Sequence, residues 1–324
     1  MLRPATALLA VLLAAAPARA DDRDYWADLV DPHGDEIRLI TDKAAQLQGQ
    51  ASNLALYDSD PTGVQRARLL DDAYGMLRYA RRLAPHNATV LLALGRVADD
   101  GGRVAAAVEA LEAYTRETDA VLPDASLRLG KLYLRLGDPE RAVRSLRGVR
   151  ADTSGGAGPL YLAAALTAAG RVDDATDALD RLVGGPNASV SDMPVLWFAL
   201  AVTYDRDEQL SAAYRVVEQL QSAMGTEYGR QLQQSITAID FVPALDRRYY
   251  QAFLYETAGY LTEARAEWLN YAAGGARAPF RGRALAHVAE IDRMLAEALA
   301  LRAKVHAEAR AHPAPPPPRR RIEP

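Results

Sequence analysis

Imidazole is the side chain best suited to metal ligation and to proton transfer near neutral pH, so the five histidines come first. They are His33, His86, His287, His306 and His312. A zinc-protease pair needs H-E-x-x-H on one helix, and no pair here has that spacing. His306 and His312 stand six apart close to the end of the sequence. A nucleophilic serine would need a G-x-S-x-G turn, and a phosphate loop would need Lys-Ser/Thr after its glycines. Gly155-Gly156-Ala157-Gly158 lacks that continuation and reads as a loop. Asp99-Asp100 and Asp173-Asp174 fall at helix ends, where carboxylates favour the helix dipole or solvate a turn. No pair stands out as an acid/base couple. The sequence contains no Cys, which excludes a thiolate nucleophile, a Cys-based metal site, any disulfide and a lipid-modified N-terminal Cys. The reading is of a chain without a catalytic, cofactor or metal site, which leaves a binding surface.

The elements that would carry such a surface are organised around Asp124 to Val149, DASLRLGKLYLRLGDPERAVRSLRGV. Leu129, Gly130 and Tyr133 mark a first short helix. Gly137-Asp138-Pro139 breaks it, and Ala142, Leu146 and Val149 give the apolar stripe of a second. Small residues at Gly130 and Ala142 let the two backbones approach closely. One hairpin of this size cannot bury its apolar face alone and needs copies on either side.

The copies are present. The small residue opening each second helix recurs as Ala73, Ala107, Ala142, Ala175, Ala213 and Ala264, at steps of 34, 35, 33, 38 and 51 residues. Leu94-Gly95, Leu129-Gly130, Leu162-Ala163 and Leu200-Ala201 recur in step, as do the turn glycines Gly102, Gly137, Gly170 and Gly259. Trp197 and Tyr204 add the aromatic pair of the fifth copy, and Leu77, Ala80 and Pro85 end the first. This pattern resembles the tetratricopeptide repeat, with its W..LG..Y, A...F and P slots. The resemblance covers roughly residues 60 to 280. It implies an all-α fold, a right-handed superhelical solenoid of about six helix-turn-helix repeats with a C-terminal capping helix. The last two steps imply insertions, and the least regular joint falls near 222–244, where a bend or an extra helix pair is expected.

Residues 1–20, MLRPATALLAVLLAAAPARA, read as a secretory signal peptide. Arg3 starts it, Ala7 to Ala16 is apolar, and Ala18-Arg19-Ala20 offers a cleavage site before Asp21-Asp22. The run is too short to span a membrane comfortably, and no other stretch is a spanning candidate. Without Arg3 and Arg19 the net charge of −4 becomes −6, which argues against nucleic-acid binding by bulk charge. Heavy Ala and Arg usage suggests a high-GC bacterium, so the expected location is periplasmic or secreted, after cleavage following Ala20. Residues 21–62 read as an N-terminal segment and a first long helix, Ile37 to Tyr57. Val64 to Leu83 is the second helix of the first copy, and 63–280 is the solenoid. Residues 281–311 form the capping helix, with Leu285, Val288, Ile291, Leu295 and Leu299 as its stripe. The 312–324 tail, rich in Pro and Arg, reads as disordered.

In the family that the chain resembles, the first helix of each repeat lines a concave groove. By register this implies Arg96, Lys131, Arg135, Phe198, Tyr249 and Phe253 as protein-binding residues. Asp99, Leu134, Thr167, Asp205 and Glu256 share the next groove slot. The family's carboxylate clamp needs a Lys/Asn/Arg set across adjacent repeats, and no Asn fills the required slots. Phe198, Tyr249 and Phe253 admit two readings: exposed anchors for a helix or extended segment, or core rings closed under the C-terminal helix. Two functions follow. One is a scaffold for other envelope proteins in a motility, secretion or outer-membrane assembly, with oligomeric state open. The other is an enzyme, or a regulatory subunit of one, with a site in the irregular region 222–258. A buried polar cluster in a closed pocket would mark the enzyme, and an open groove the scaffold.

Overall fold

A computed structural model describes residues 33–57, 59–151, 156–185, 189–190 and 193–311. Residues 1–20, read as a signal peptide, residues 21–32, Gly155 and the 312–324 tail lie outside the described residues; of the stretch read as a Gly-rich loop, Gly156 precedes a helix and Ala157 and Gly158 open it. The described residues are all-α, in successive antiparallel helix pairs. The chain divides into two compact units between Arg128 and Leu129, inside one helix.

The first unit holds α1 (Gly34–Leu56), α2 (Val64–Leu83), α3 (Ala88–Asp100), α4 (Val104–Glu117) and the start of α5 (Pro123–Arg135). Helix α1 meets its neighbours through Ile37, Ala44 and Ala51, buried at seven-residue spacing. Ala44 and Ala51 join Leu70, Ala73, Leu77, Leu94, Val97 and Ala110 in one core. The second unit continues from α5 through α6 (Pro139–Leu146), α7 (Ala157–Ala168), α8 (Val172–Val183), α9 (Pro194–Arg206) and α10 (Leu210–Met224). Then come α11 (Tyr228–Ala238), α12 (Asp246–Thr257), α13 (Leu261–Ala272) and α14 (Arg281–Ala311). Helix α11 and the loop after it account for the 51-residue step: the insertion is one extra helix, preceded by a 3₁₀ turn at Gly225–Glu227.

The register of small residues is what builds the pairs. All six anchor alanines are fully buried. Twelve residues before the anchors of copies two to six stand Gly95, Gly130, Ala163, Ala201 and Ala252, each buried at a helix crossing. Four residues after those anchors stand Leu111, Leu146, Leu179, Val217 and Trp268, which fill the crossing from the second helix and are buried too. A methyl group added at Gly95 would come within 2.5 Å of Leu111, and one at Gly130 within 2.3 Å of Leu146. The same contact in two copies shows that the slot is geometric and not incidental.

The turns repeat as well. Gly102, Gly137, Gly170 and Gly259 all take positive φ, 70° to 85°. In each turn the amide of the following residue bonds the carbonyl five positions back, as with Asp138 to Tyr133 at 2.9 Å and Tyr260 to Tyr255 at 2.8 Å. The fifth copy puts Glu208 at that position, with φ 59°. A side chain in the left-handed region costs about 1–2 kcal/mol that glycine does not incur. Glu208→Gly is therefore expected to raise stability by about 0.5–1 kcal/mol in urea denaturation, after the entropy that glycine adds to the unfolded chain. A neutral or negative change would show that Glu208 contributes a compensating contact.

Helix α14 departs from its predicted stripe. Its buried residues are Ala284, His287, Val288 and Ile291, while Leu285 and Leu299 are exposed. Val288 and Ile291 stay on the inner face as predicted, and His287 joins them there, where it meets the carboxylates of Asp205 and Glu256.

Candidate functional site

The most polar buried cluster described in the second unit is centred on His287. Its Nε2 lies 3.0 Å and 3.1 Å from the two oxygens of Asp205, and its Nδ1 lies 3.0 Å from Glu256 Oε1. An ionised carboxylate only accepts, so this geometry favours the imidazolium form, which donates from both nitrogens. Asp205 also accepts from the Tyr249 hydroxyl at 2.6 Å and from Arg283 Nε at 3.0 Å. Glu256 accepts from Trp268 Nε1 at 2.7 Å and from the Tyr214 hydroxyl at 3.2 Å. Trp268 lies flat on the imidazole, with 4.3 Å between ring centres. Asp205 and His287 are almost completely withdrawn from solvent.

The local sequence explains how these groups meet. Asp205 and Glu256 occupy the same slot, eight residues before the anchors Ala213 and Ala264, so successive first helices present them from one side. Arg283 and His287 are four apart on α14 and share a face. Trp268 fills the position that holds Leu111 and Leu146 in earlier copies, and its larger ring reaches the imidazole. Beside the cluster, buried Arg206 stacks on Tyr249 and Phe280, with its carbon 4.6 Å and 4.8 Å from their ring centres. Its Nη2 lies 3.2 Å from Asp246, a contact set by charge more than by hydrogen-bond direction.

Burial acts to lower the His287 pKa below its ordinary value, but hydrogen bonds to Asp205 and Glu256 outweigh it and the value is raised. Asp205 is likewise pushed up by burial and pulled lower overall by His287 and Arg283. The signs fix a pH window. A raised histidine stabilises fully below about pH 6.5, its unfolded value, and the contribution fades as pH rises through the folded value. A lowered aspartate contributes above about pH 3.9 and loses its contribution as pH falls through the folded value. Stability of the C-terminal copies is expected to decline from about pH 6.5 upward, and His287→Gln should flatten that slope. An unchanged slope in thermal melts from pH 6 to 9 would show the ring neutral.

The residues expected to bind protein divide into two sets. In the second unit Lys131 Nζ and Arg135 Nη2 converge on Asp240 Oδ2, at 2.8 Å and 2.9 Å. Asp240 follows α11, and its backbone carbonyl accepts the Tyr161 hydroxyl at 2.5 Å. Lys131 also sits 5.2 Å from the Tyr161 ring centre. In the first unit Arg96 pairs with Asp124 at 2.8 Å. Arg128 joins Asp99, Asp100 and Asp124 beside it. Lys131 and Arg135 keep about a fifth and a third of their side-chain surface exposed.

Phe198, Tyr249 and Phe253 require a correction. All three are fully buried, so none is an exposed anchor. Phe198 packs 5.8 Å from Phe253, Phe253 lies 6.1 Å from His287, and Tyr249 meets Trp268 at 4.7 Å. The rings close the core beside α14, because its His287 and Arg283 occupy the row onto which those slots face. The sequence reading missed this cluster by testing His287 only for metal spacing. The signal available was a carboxylate at the same slot in two successive copies.

No known family profile matches the chain, and no curated protein does. Similar solved structures include YrrB, described as a TPR protein with an unusual peptide-binding site, at 15% identity and TM-score 0.41, over 58% of this chain and 90% of that one. A tetratricopeptide repeat protein from Parabacteroides merdae shares 13% identity at TM-score 0.39, over 76% of this chain and 99% of that one. The APC/C hetero-tetramer Cut9–Hcn1 matches at 13% identity and TM-score 0.42, over 82% of this chain and 47% of the chain matched. No described helix is long and apolar enough to cross a membrane. Paired helices, a small residue buried at each crossing and a left-handed turn inside each pair give this chain a tetratricopeptide-type fold.

Proposed function

We propose that this chain is an exported periplasmic scaffold that binds segments of other envelope proteins within a multiprotein assembly, such as motility, secretion or outer-membrane machinery. The observation that carries the reading is the cluster of Lys131, Arg135 and Tyr161 on the first helices of successive copies. Two cations converge on one carboxylate, with the Tyr161 ring beside Lys131, so this row already has the chemistry to hold an acidic side chain of an incoming segment. Arg96 occupies the matching slot of copy two. The partner would exchange with Asp240, whose side chain is more than half exposed.

A second reading places an enzyme site within 222–258, and Tyr249 and Glu256 from that range do join the buried cluster. There both imidazole nitrogens and all four carboxylate oxygens of Asp205 and Glu256 are engaged with one another's partners. Such a network locks helices together and leaves none of these atoms to receive a substrate, so the scaffold is preferred.

The test is affinity capture from envelope extract with the processed chain, whose intact mass should place Asp21 first. Lys131→Glu with Arg135→Glu is expected to weaken capture of the partner about tenfold or more, with the melting curve retained. Equal capture by parent and double variant would rule out the row as the binding face.

A further inference from the structure

A separate cleft opens on the second-helix side of the first unit, between α2 and α4. It encloses about 700 Å³ and is lined by Tyr74, Arg78, Arg81, Arg82, Leu94 and Glu109, with Pro85 and Ala106 beside them. Three guanidiniums face one carboxylate. Arg81 holds that carboxylate, Glu109, at 2.9 Å. Among the described residues neither Arg78 nor Arg82 has a carboxylate partner. Both are nevertheless positioned: the Arg78 guanidinium carbon lies 5.9 Å from the Tyr74 ring centre, and that of Arg82 lies 5.6 Å from the Tyr79 ring centre. Neighbouring Arg103 also covers Tyr74, at 4.5 Å, but its charge is spent on Asp71.

We propose that this cleft is a second binding site, distinct from the Lys131–Arg135 row, and that it takes an acidic peptide segment of a partner protein. A guanidinium resting on a ring loses little freedom when it binds, and its fork of N–H donors matches a carboxylate in two-point contact. Two forks that meet no carboxylate among the described residues stand four apart on α2 and project from the same face, so they suit carboxylates on neighbouring residues of one segment. Leu94, Pro85 and Ala106 supply an apolar floor for the aliphatic side chains between them. Arg81 with Glu109 shows the pairing that the cleft already makes. A duplex or a membrane face presents a broad array of anions, and the chain's net charge of −4 opposes such a surface, whereas a short segment entering a cleft meets mainly the arginines.

Fluorescence polarisation of a labelled twelve-residue peptide alternating Glu-Asp with Leu tests this on the full chain. The parent should bind it, with affinity falling as salt rises. Arg78→Glu with Arg82→Glu should weaken binding at least tenfold, and Arg78→Lys with Arg82→Lys should retain part of it. Lys131→Glu with Arg135→Glu should leave a component of binding that the Arg78/Arg82 variant lacks, which separates this site from the proposed groove row. Circular dichroism melts confirm that each variant is folded. No binding by the parent, equal binding by the Arg78/Arg82 charge-reversed variant, or loss of anionic-vesicle binding alone in that variant would overturn the proposal.

Discussion

Replacing Asp205 by Ala is expected to lower the unfolding free energy of the C-terminal copies by about 3–5 kcal/mol, the range for removing one partner of a buried ionic network. Its side chain has no exposed surface and receives bonds from His287, Arg283 and the Tyr249 hydroxyl. Without it the imidazolium keeps only Glu256, and Arg283 faces the same buried region with its charge uncompensated. The cost therefore comes mainly from stranding two cations and only secondarily from the lost bonds. Asp205→Asn keeps the shape while removing the charge and should fall between parent and Ala variant. Hydrogen exchange should locate the damage in α14, whose early turns would open while α1 to α4 keep their protection. Urea curves that superimpose on the parent's would mean that this network does not hold the helix.

Gly130→Leu is expected to be the most damaging single change in the middle copies, at about 3 kcal/mol or more. A Cβ there would already lie 2.3 Å from Leu146 Cγ, and Leu146 is fully buried with nowhere to move. Overpacking of a filled crossing commonly costs about 1–3 kcal/mol, and here the two backbones must separate. Ala142→Trp attacks the same contact from the opposite helix and should act alike. Because each repeat couples mainly to its neighbours, protection should be lost around α5 to α8 first. Thermal melts in which both variants match the parent would show the assigned register to be wrong.

How much of this could be read beforehand depends on distance along the chain. The anchors Ala73 to Ala264 and the turn glycines were legible because each is fixed by a local requirement, a close crossing or a positive φ, that only small residues meet. Glu208, which takes the turn position of copy five, was not singled out, because glutamate carries no local sign of a positive φ. Nor was His287. Its partners stand 31 and 82 residues away, and a lone histidine on an amphipathic helix gives no local sign of burial. For the three aromatic residues the sequence left two readings open, and burial selects the core one. Register placed them on the first-helix row, but whether that row meets solvent depends on where α14 lies. The stripe of α14 was right at Val288 and Ile291 and wrong at Leu285, because apolarity alone favours Leu285, and pairing with Asp205 and Glu256 selects His287. Lys131 and Arg135 were legible as a basic spot, while Asp240, supplied across more than a hundred residues, was not.

Site-specific photo-crosslinking in the envelope probes the scaffold reading most directly. A crosslinkable residue is placed at Ala164 or Thr167, both half-buried and in the same register slots as Lys131 and Leu134. The account predicts a crosslink to another envelope protein from these positions, lost when Lys131→Glu and Arg135→Glu are introduced into the same chain. Crosslinks that persist unchanged in the charge-reversed chain, or that form only from positions on the second helices, would contradict it.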